Sequence, residues 1–235
     1  MPRSDGAAGT RLPSQPLVTL YCVVHGPVYE RYASVLIPQA QELFLPGQAQ
    51  IVVLPGNGGW PHGSASRYQV CLDHQDQLEG EWLFQIDADM LIEQTIGEEI
   101  LADGLTVTIH PGYPEARFPE SFPYDRNPRS HAYVPFEHGT QYHPGAFVGG
   151  RRDAFLAMCA TTMGWYEKDR VSGYVPQWYE ESYLNRYLID NPPALILPRE
   201  YCWWADQWGP RQGLAKIVHL DKTAEEFELR EAGRA

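Results

Sequence analysis

Three short apolar segments alternate with two segments of helical pattern at the start of the chain, and this alternation limits the folds that are open to it. The strand-like segments are Leu17–Val24, Ile51–Leu54 and Glu81–Ile86, and the predicted helices between them are Val28–Leu45 and Ser66–Gln77. Short β-branched runs bounded by turn residues are typical of strands buried on both faces, and their alternation with helices is typical of a parallel sheet. The sequence therefore predicts an α/β domain with its ligand crevice at the carboxyl ends of the strands.

The second half of the chain has a less regular pattern. Its predicted elements are a strand at Leu105–Ile109, a strand and turn at Gly145–Gly150, a helix at Arg152–Met163, a helix starting near Tyr179 and a strand at Ala194–Leu197. Residues 111–141 are rich in Pro, Tyr, Arg and His, and a connection of that length inside a domain is usually functional. We predict one domain over residues 17–222, with flexible tails at residues 1–16 and 223–235.

Charge and hydropathy restrict the partners of this domain. The 235-residue chain has 18 Lys and Arg against 30 Asp and Glu, a formal charge of −12 at pH 7 with His neutral. This charge opposes binding to a phosphate backbone, so we expect no nucleic-acid partner. The longest apolar run, Leu17–Val24, is far shorter than the roughly 18–20 residues that cross a bilayer, so we expect no membrane span.

The cysteines give no sign of a metal site or a disulfide framework. They lie far apart, without C-x-x-C spacing, at Cys22, Cys71, Cys159 and Cys202. We expect buried, reduced thiols.

Two acidic residues follow the third predicted strand. Asp87 and Asp89 are separated by Ala88, and an apolar strand would deliver both carboxylates to the ligand crevice. Mg²⁺ or Mn²⁺ takes such oxygen ligands and keeps other positions for water and substrate phosphate. The alternative is a pair of acids in an ordinary turn or helix cap. Phosphoryl transfer through an aspartyl nucleophile is less favoured, because that class usually carries its acidic pair on the first strand.

A second acidic pair, Glu180 and Glu181, falls in the first turn of the helix predicted near Tyr179. These carboxylates could simply complement the positive end of the helix dipole. With Trp178 beside them, however, they offer an apolar face and carboxylates together, which is how sugar rings are commonly held. A carboxylate beneath an anomeric carbon can act as a nucleophile or stabilise an oxocarbenium-like transition state.

From about Leu17 to about Lys222 the sequence resembles glycosyltransferase family 6, the family of the ABO blood-group transferases and the α1,3-galactosyltransferase. The matching segments occur in the family's order at near-family spacing. They are Ile86-Asp-Ala-Asp-Met90, Thr108-Ile-His-Pro-Gly-Tyr113, Tyr124-Asp-Arg-Asn-Pro-Arg-Ser-His-Ala-Tyr-Val-Pro135, Tyr142-His-Pro-Gly-Ala-Phe-Val-Gly-Gly150, Gln177-Trp-Tyr-Glu-Glu-Ser-Tyr-Leu-Asn-Arg-Tyr187 and Leu197-Pro-Arg-Glu-Tyr-Cys-Trp203.

The resemblance implies a GT-A fold, with one Rossmann-like domain and a mostly parallel sheet. It also implies a retaining enzyme that moves galactose or N-acetylgalactosamine from a UDP-sugar donor onto a galactoside-terminated glycan acceptor, in an α1,3 linkage. The implied cofactor is Mn²⁺, or Mg²⁺, held by Asp87 and Asp89 against the UDP diphosphate. The membrane anchor and stem of the family's vertebrate members have no counterpart in this sequence, so we expect a short, soluble, bacterial-type member. Residues 1–15 also lack the apolar core of a signal peptide. We therefore expect a cytoplasmic protein that can lie peripherally at a membrane where a lipid-linked acceptor is held.

Individual site residues follow from the same resemblance. Glu181 matches the catalytic carboxylate beneath the anomeric carbon, and His110 and Trp178 match acceptor-binding positions. The implied donor-binding residues are Tyr21, Arg67, Asp87, Ala88, Asp89, Gly145, Ala146 and Glu180. For Tyr21, strand periodicity favours a plain core tyrosine equally. Arg67 follows Trp60 by seven residues, as in the family.

The sequence departs from the family pattern at several of these positions. Glu180 stands where the family commonly has Asp, and Tyr179 replaces the His next to the Trp. Pro144, Gly145 and Ala146 fall on the segment that discriminates the two donor sugars, where Ala146 fits galactose-preferring members. Basic residues near the family's C-terminus close over UDP, and Lys222 and Arg230 could serve here or lie in a solvated tail.

Two other function classes remain open at this stage. The first is a catalytically inactive module that binds a UDP-sugar or a glycan through Trp178 and His110, as a lectin would. It is less favoured because binding alone does not require an acidic pair and a further carboxylate at Glu181. A hydrolase is more distant, because the acidic pair serves a nucleotide leaving group that hydrolases lack.

Overall fold

The computed structural model describes residues 16–59, 61–113, 118–204 and 213–220. Most of the predicted N-terminal tail, the predicted C-terminal tail, Trp60, Lys222 and Arg230 lie outside these residues. The strands of the described chain are β1 (Val18–Val24), β2 (Ala49–Pro55), β3 (Trp82–Ile86), β4 (Met90–Ile92), β5 (Leu105–Thr108), β6 (Phe147–Arg151), β7 (Leu195–Leu197) and β8 (Ile217–His219).

Six of the described strands form the main sheet, in the order β2-β1-β3-β6-β5-β7. β1 is parallel to both β2 and β3, and β5 is parallel to β7. β6 is antiparallel to its neighbours β3 and β5, so the other strands of this described sheet all run in one direction. The predicted α/β domain with a mostly parallel sheet is confirmed. β1 is the second strand from one edge, between β2 and β3.

The described helices are α1 (Gly26–Leu43), α2 (His62–Ala65), α3 (Arg67–Asp73), α4 (Arg152–Val171) and α5 (Tyr179–Asp190). The prediction that the fourth helix ends at Met163 is wrong. One glycine inside a helix costs only about 1 kcal/mol, so Gly164 does not stop it. α4 instead runs to Val171 and is followed by Ser172 and Gly173, of which Gly173 adopts a positive φ of 71°.

The other predicted elements shift by a few residues. The predicted helix at Ser66–Gln77 is the shorter α3 followed by a 3₁₀ turn at Gln75–Gln77. α1 begins at Gly26 with a proline in its first turn, and it ends before Leu45, which has a φ of 38°.

A second, two-stranded sheet was not predicted. β4 pairs antiparallel with β8, and the register places Met90 opposite His219. The Leu220 N–H then donates a hydrogen bond of 2.9 Å to the carbonyl of Asp89. This small sheet therefore holds the segment after residue 213 against the acidic turn.

Hydrophobic side chains cover both faces of the main sheet. On one face, Phe84 and Phe147 stack at 5.4 Å, and α1 packs over them through Leu36. On the other face, Leu83 and Phe155 belong to a core that α3, α4 and α5 close. All four cysteines are buried and free in the described chain, as expected. No helix among the described residues is long and apolar enough to cross a membrane.

The long segment before β6 is held firmly against α4. The fully buried Asp169 of α4 accepts hydrogen bonds from Ser130 Oγ at 3.1 Å, from His131 Nδ1 at 2.6 Å and from Tyr183 Oη at 2.9 Å. Arg126 donates to main-chain carbonyls within the same segment. These contacts fix the chain that leads into residues 142–146.

Candidate active site

The acidic turn begins where β3 ends, at the carboxyl edge of the sheet. The Asp87 N–H donates to the carbonyl of Ala146 at 2.9 Å, which ties the turn to the segment before β6. Asp87 Oδ1 accepts a hydrogen bond of 2.8 Å from Gln85 Nε2 and pairs with Arg67. Asp89 is buried, and both carboxylate residues line a cleft of about 520 Å³. The structure therefore brings this pair to the predicted crevice.

The rest of this first cleft is formed by backbone turns. It is lined by the end of β1, the start of α1, the 56–59 loop and the first residues of α2 and α3. The His25 ring packs closely against two glycines of the cleft. A Cβ at Gly56 would lie 2.2 Å from that ring, and one at Gly63 would lie 2.9 Å from it. Glycine at both positions is what allows the imidazole to sit at the edge of the cleft.

Arg67 connects the two acidic pairs. Its guanidinium pairs with Asp87 and, through Nη2, with Glu180 Oε1 at 2.9 Å, and its side chain is only 14% exposed. Burial alone would lower the pKa of Arg67, but the two carboxylates outweigh burial and the pKa is raised. Arg67 is therefore a fixed cation at the junction of β3 and α5.

Glu180 and Glu181 lie in the first turn of α5, as predicted. Both line a second cavity of about 210 Å³ that adjoins the first at Asp87. The Gly145 N–H donates to Glu181 Oε2 at 3.0 Å. A Cβ at Gly145 would lie 3.0 Å from Glu180 Oε1. The backbone of Gly145 is thus in close contact with both carboxylates.

Burial dominates the electrostatics of Glu181. Burial and the neighbouring Glu180 carboxylate raise the pKa of Glu181 to about 8, although the Gly145 N–H and the Tyr142 hydroxyl oppose the shift. Glu181 also raises the pKa of Tyr142, after the larger effect of burial. A carboxyl group with such a perturbed pKa in a cavity is a candidate for chemistry.

His110 faces Glu181 across this second cavity. Its Nε2 lies 3.9 Å from Glu181 Oε1, beyond hydrogen-bonding distance. Burial, and then His219 and His143, lower the pKa of His110 to about 3, so the ring is neutral. His219 also lines the cavity, with Pro111, Pro144, Ala146 and Trp204.

The structure does not bring Tyr21, a predicted donor-binding residue, to the cleft, and its role stays a prediction. Tyr21 is fully buried in the core, where it packs edge-on against Phe155 at 6.3 Å, and it is not among the described residues that line either cavity. Alternation along β1 turns its side chain toward α4. Val23 and His25, at the end of the strand, line the cleft instead.

The remaining predicted residues fall into two groups. Ala88 lines the first cleft, and Gly145 and Ala146 line the second. Trp178 precedes α5, is 44% exposed and lies outside the two cavities described here. Its backbone N–H donates to Ser182 Oγ at 3.1 Å. Tyr179 next to it has a positive φ of 50°, a strained conformation for a non-glycine residue.

Several cleft residues were missed from the sequence. Tyr29 and His25 could have been found from their position, because residues just after a parallel strand lie at the sheet's ligand edge. His219 and Trp204 had no such signal. They reach the second cavity through the three-residue strand β8 and the chain before it.

The acidic turn fits a divalent cation by its chemistry. Asp87 and Asp89 offer hard oxygen ligands on one cleft with room for further ligands from solvent or substrate. Among the residues that the structure describes, no group of three or more His, Cys, Asp or Glu side chains could hold a metal. A cation held by Asp87 and Asp89 would therefore take its other ligands from water or from the substrate.

The fold and site define a class. A mostly parallel sheet with an acidic turn at its carboxyl edge, flanked by two adjoining cavities, describes an α/β domain of the GT-A type. Comparison with known proteins narrows this class further. The model of glycosyltransferase family 6 matches residues 35–230. The chain belongs to this family.

Curated relatives agree with that assignment. The chain is 35% identical over 147 residues to histo-blood group ABO system transferase 2 of Rattus norvegicus, covering 61% of this chain and 43% of the relative. It is 32% identical over 185 residues to human globoside alpha-1,3-N-acetylgalactosaminyltransferase 1, covering 73% and 50%. Human alpha-1,3-galactosyltransferase 2 is 30% identical over 135 residues, covering 57% and 38%. The chain spans about half the length of these relatives or less.

Proposed function

We propose that this protein is a retaining glycosyltransferase that moves galactose or N-acetylgalactosamine from a UDP donor to a galactoside acceptor, with an α1,3 linkage. Family membership and the names of its relatives support the reaction class. The observation that carries the proposal is the junction of two cavities at Asp87. One cavity holds the acidic turn, and the other holds the carboxylate of Glu181, whose side chain is 19% exposed.

In this proposal the UDP part of the donor occupies the larger cleft. That cleft is lined by Gly56, Gly58 and Gly59 and by the start of α1, and glycine-rich turns and helix N-termini suit a diphosphate. Asp87 and Asp89 would hold Mn²⁺ or Mg²⁺, which supplies Lewis-acid stabilisation of the departing diphosphate. Arg67 adds a fixed positive charge beside the same turn.

The donor sugar then lies in the smaller cavity, with its anomeric carbon near Glu181. The Gly145 N–H orients Glu181 by holding Oε2, so that Oε1 faces the cavity. With a pKa of about 8, Glu181 is mostly ionised only above that pH. In that form it would stabilise positive charge that develops on the sugar ring, or attack the anomeric carbon directly. Glu180, fixed by Arg67, is placed to accept hydrogen bonds from sugar hydroxyls.

The test is release of UDP from UDP-galactose and from UDP-N-acetylgalactosamine, each with Mn²⁺ and with EDTA. Lactose, N-acetyllactosamine and 2'-fucosyllactose serve as acceptors. We expect release that depends on the acceptor and is abolished by EDTA. Saturable binding of UDP-sugar without release on any acceptor would instead identify an inactive binding module. Release that does not respond to an acceptor would indicate hydrolysis.

A further inference from the structure

The His-Pro-Gly turn holds the His110 ring in one orientation. The Gly112 N–H donates a hydrogen bond of 3.0 Å to His110 Nδ1, and the Tyr113 N–H donates to the His110 carbonyl at 3.0 Å. The rings of Tyr113 and Tyr142 lie 5.1 and 5.5 Å from the imidazole. The ring is therefore clamped by aromatic neighbours and by one main-chain donor.

That hydrogen bond determines where the imidazole proton lies. A neutral imidazole has one N–H donor and one lone-pair acceptor. Because Gly112 donates to Nδ1, the lone pair is on Nδ1 and the proton is on Nε2. A proton on Nδ1 would point one donor at another, and the burial of the ring disfavours the cation.

The protonated nitrogen points into the cavity that contains the acidic pair of α5. Nε2 lies 3.9 Å from Glu181 Oε1, while Glu181 Oε2 is already held by Gly145. Other titratable groups around His110 include Asp87 and Glu180 of the same cavity, His143, His219 and the hydroxyls of Tyr113 and Tyr142. His143 Nδ1 is hydrogen bonded to the carbonyl of Thr108 at 2.8 Å, so that ring has its own partner.

We propose that Gly112 is a positioning residue whose backbone N–H fixes His110 as the Nε2–H tautomer. The resemblance implies that His110 binds the acceptor, and the fixed tautomer sets how: Nε2–H donates a hydrogen bond to a hydroxyl oxygen of the acceptor sugar, and the ring does not remove that hydroxyl's proton. The tautomer follows from the turn alone, whereas the sugar as ligand rests on the proposed function. A hydroxyl can accept from Nε2–H and still donate its own proton elsewhere.

The first test reads the tautomer directly, without donor or acceptor. The tautomer is read from two-bond ¹⁵N–¹H correlation spectra of histidine-labelled protein, and the His110→Gln variant identifies the His110 signals. We expect roughly all molecules to carry a neutral His110 ring protonated at Nε2 between pH 5.5 and 8. Gly112→Ala keeps the N–H and should keep this spectrum. Gly112→Pro removes the N–H and should give a mixture of tautomers. A ring protonated at Nδ1 in the wild type, or no difference between the two Gly112 variants, would overturn the proposal.

The second test separates a donor from a base. The amide of Gln can reach the Nε2 position, whereas the shorter Asn places its amide nearer Nδ1. We expect His110→Gln to raise the acceptor KM by about tenfold or less, the value of one hydrogen bond, with kcat kept within a few-fold. His110→Asn should weaken acceptor binding more. A kcat loss of about 10²–10⁴-fold in His110→Gln, with a lost limb in the pH profile, would show a base and refute the donor role.

These two tests also distinguish the proposal from the function on which it partly depends. If the spectra show the Nε2–H tautomer and no donor supports transfer, the proposed function fails and the tautomer stands. If transfer occurs and the spectra show the other tautomer, the role of Gly112 fails and the proposed function stands.

Discussion

Arg67 should stabilise the fold chiefly by neutralising Glu180, and this can be tested by removing each partner. The Glu180 side chain is 8% exposed and lies 2.9 Å from Arg67 Nη2. Removal of one partner of a buried pair costs about 3–5 kcal/mol, because the other charge stays buried without compensation. Arg67→Met should therefore lower the free energy of unfolding by about this amount.

The double variant isolates the interaction between the two groups. In Arg67→Met with Glu180→Gln the buried carboxylate that has lost the Arg67 cation is gone, while Asp87 keeps its hydrogen bond from Gln85 and a side chain that is 25% exposed. The double variant should therefore be more stable than Arg67→Met alone by about 2 kcal/mol or more. Glu180→Gln alone should cost less than Arg67→Met, because Arg67 still pairs with Asp87.

Urea unfolding gives the free energy of unfolding of the wild type, the two single variants and the double variant. Tryptophan fluorescence follows the transition, with EDTA present and no nucleotide. The slope of the transition should stay constant, so that midpoint shifts report stability. Arg186→Met is a matched control, since Arg186 pairs with the exposed Asp190 and should change stability by less than about 1 kcal/mol. If the effects of Arg67→Met and Glu180→Gln add to within about 0.5 kcal/mol, the reasoning is refuted.

Three further predictions concern the carboxylates and the glycine between them. The pKa of Glu181 is raised from an ordinary 4.5 to about 8, so its contribution to stability is largest below pH 4.5 and is lost as pH rises to 8. Urea titrations should show the wild type losing up to a few kcal/mol relative to Glu181→Gln across that range, less than the full pKa shift implies because the side chain is 19% exposed. Equal pH dependence of the two proteins would contradict this. Gly145→Ala should reduce kcat/KM for the donor by roughly tenfold or more, since the alanine Cβ would lie 3.0 Å from Glu180 Oε1. Adding Glu180→Asp, which shortens the neighbouring side chain, should restore part of the loss. Strictly additive losses in the double variant would show that the contact is unimportant. EDTA should abolish transfer and Mn²⁺ should restore it. Asp89→Asn should lower the transfer rate by about 100-fold or more at fixed Mn²⁺. Unchanged rates in these assays would exclude a metal at the acidic turn.

The parts of the fold that depend on hydrophobic periodicity could be predicted from the sequence. The three parallel strands of the first half are mostly apolar, and turn residues bound them on both sides. The placement of Asp87 follows directly from the end of β3. For Glu181, the position in a helical first turn was predictable, but its depth of burial was not.

Which side chains of a fully buried strand point toward the cleft could not be predicted in the same way. β1 is apolar on both sides, so its pattern does not tell which residues point at the cleft. Tyr21 therefore fits a cleft residue and a core residue equally well by sequence, and in the structure its side chain is buried against Phe155. Only the strand's end, at Val23 and His25, reaches the cleft.

Contacts between distant short segments also escaped prediction. β8 is three residues long, which is too short for any periodicity, yet its pairing with β4 brings His219 to the second cavity. The bridge from Arg67 to both acidic pairs joins three elements separated by up to 113 positions in the chain. Such contacts depend on the assembled sheet and leave no local pattern in the sequence.

The central claim is that Glu181 stabilises charge at the anomeric carbon, and Glu181→Gln tests it most directly. Gln keeps the size of the side chain and can still accept from the Gly145 N–H, but it carries no negative charge. The measurement is acceptor-dependent UDP release by the variant and the wild type, together with calorimetric binding of UDP to both. We predict that UDP binds equally to the two proteins and that kcat falls by at least about 100-fold in the variant. A variant that binds UDP and keeps most of the wild-type kcat would contradict the account.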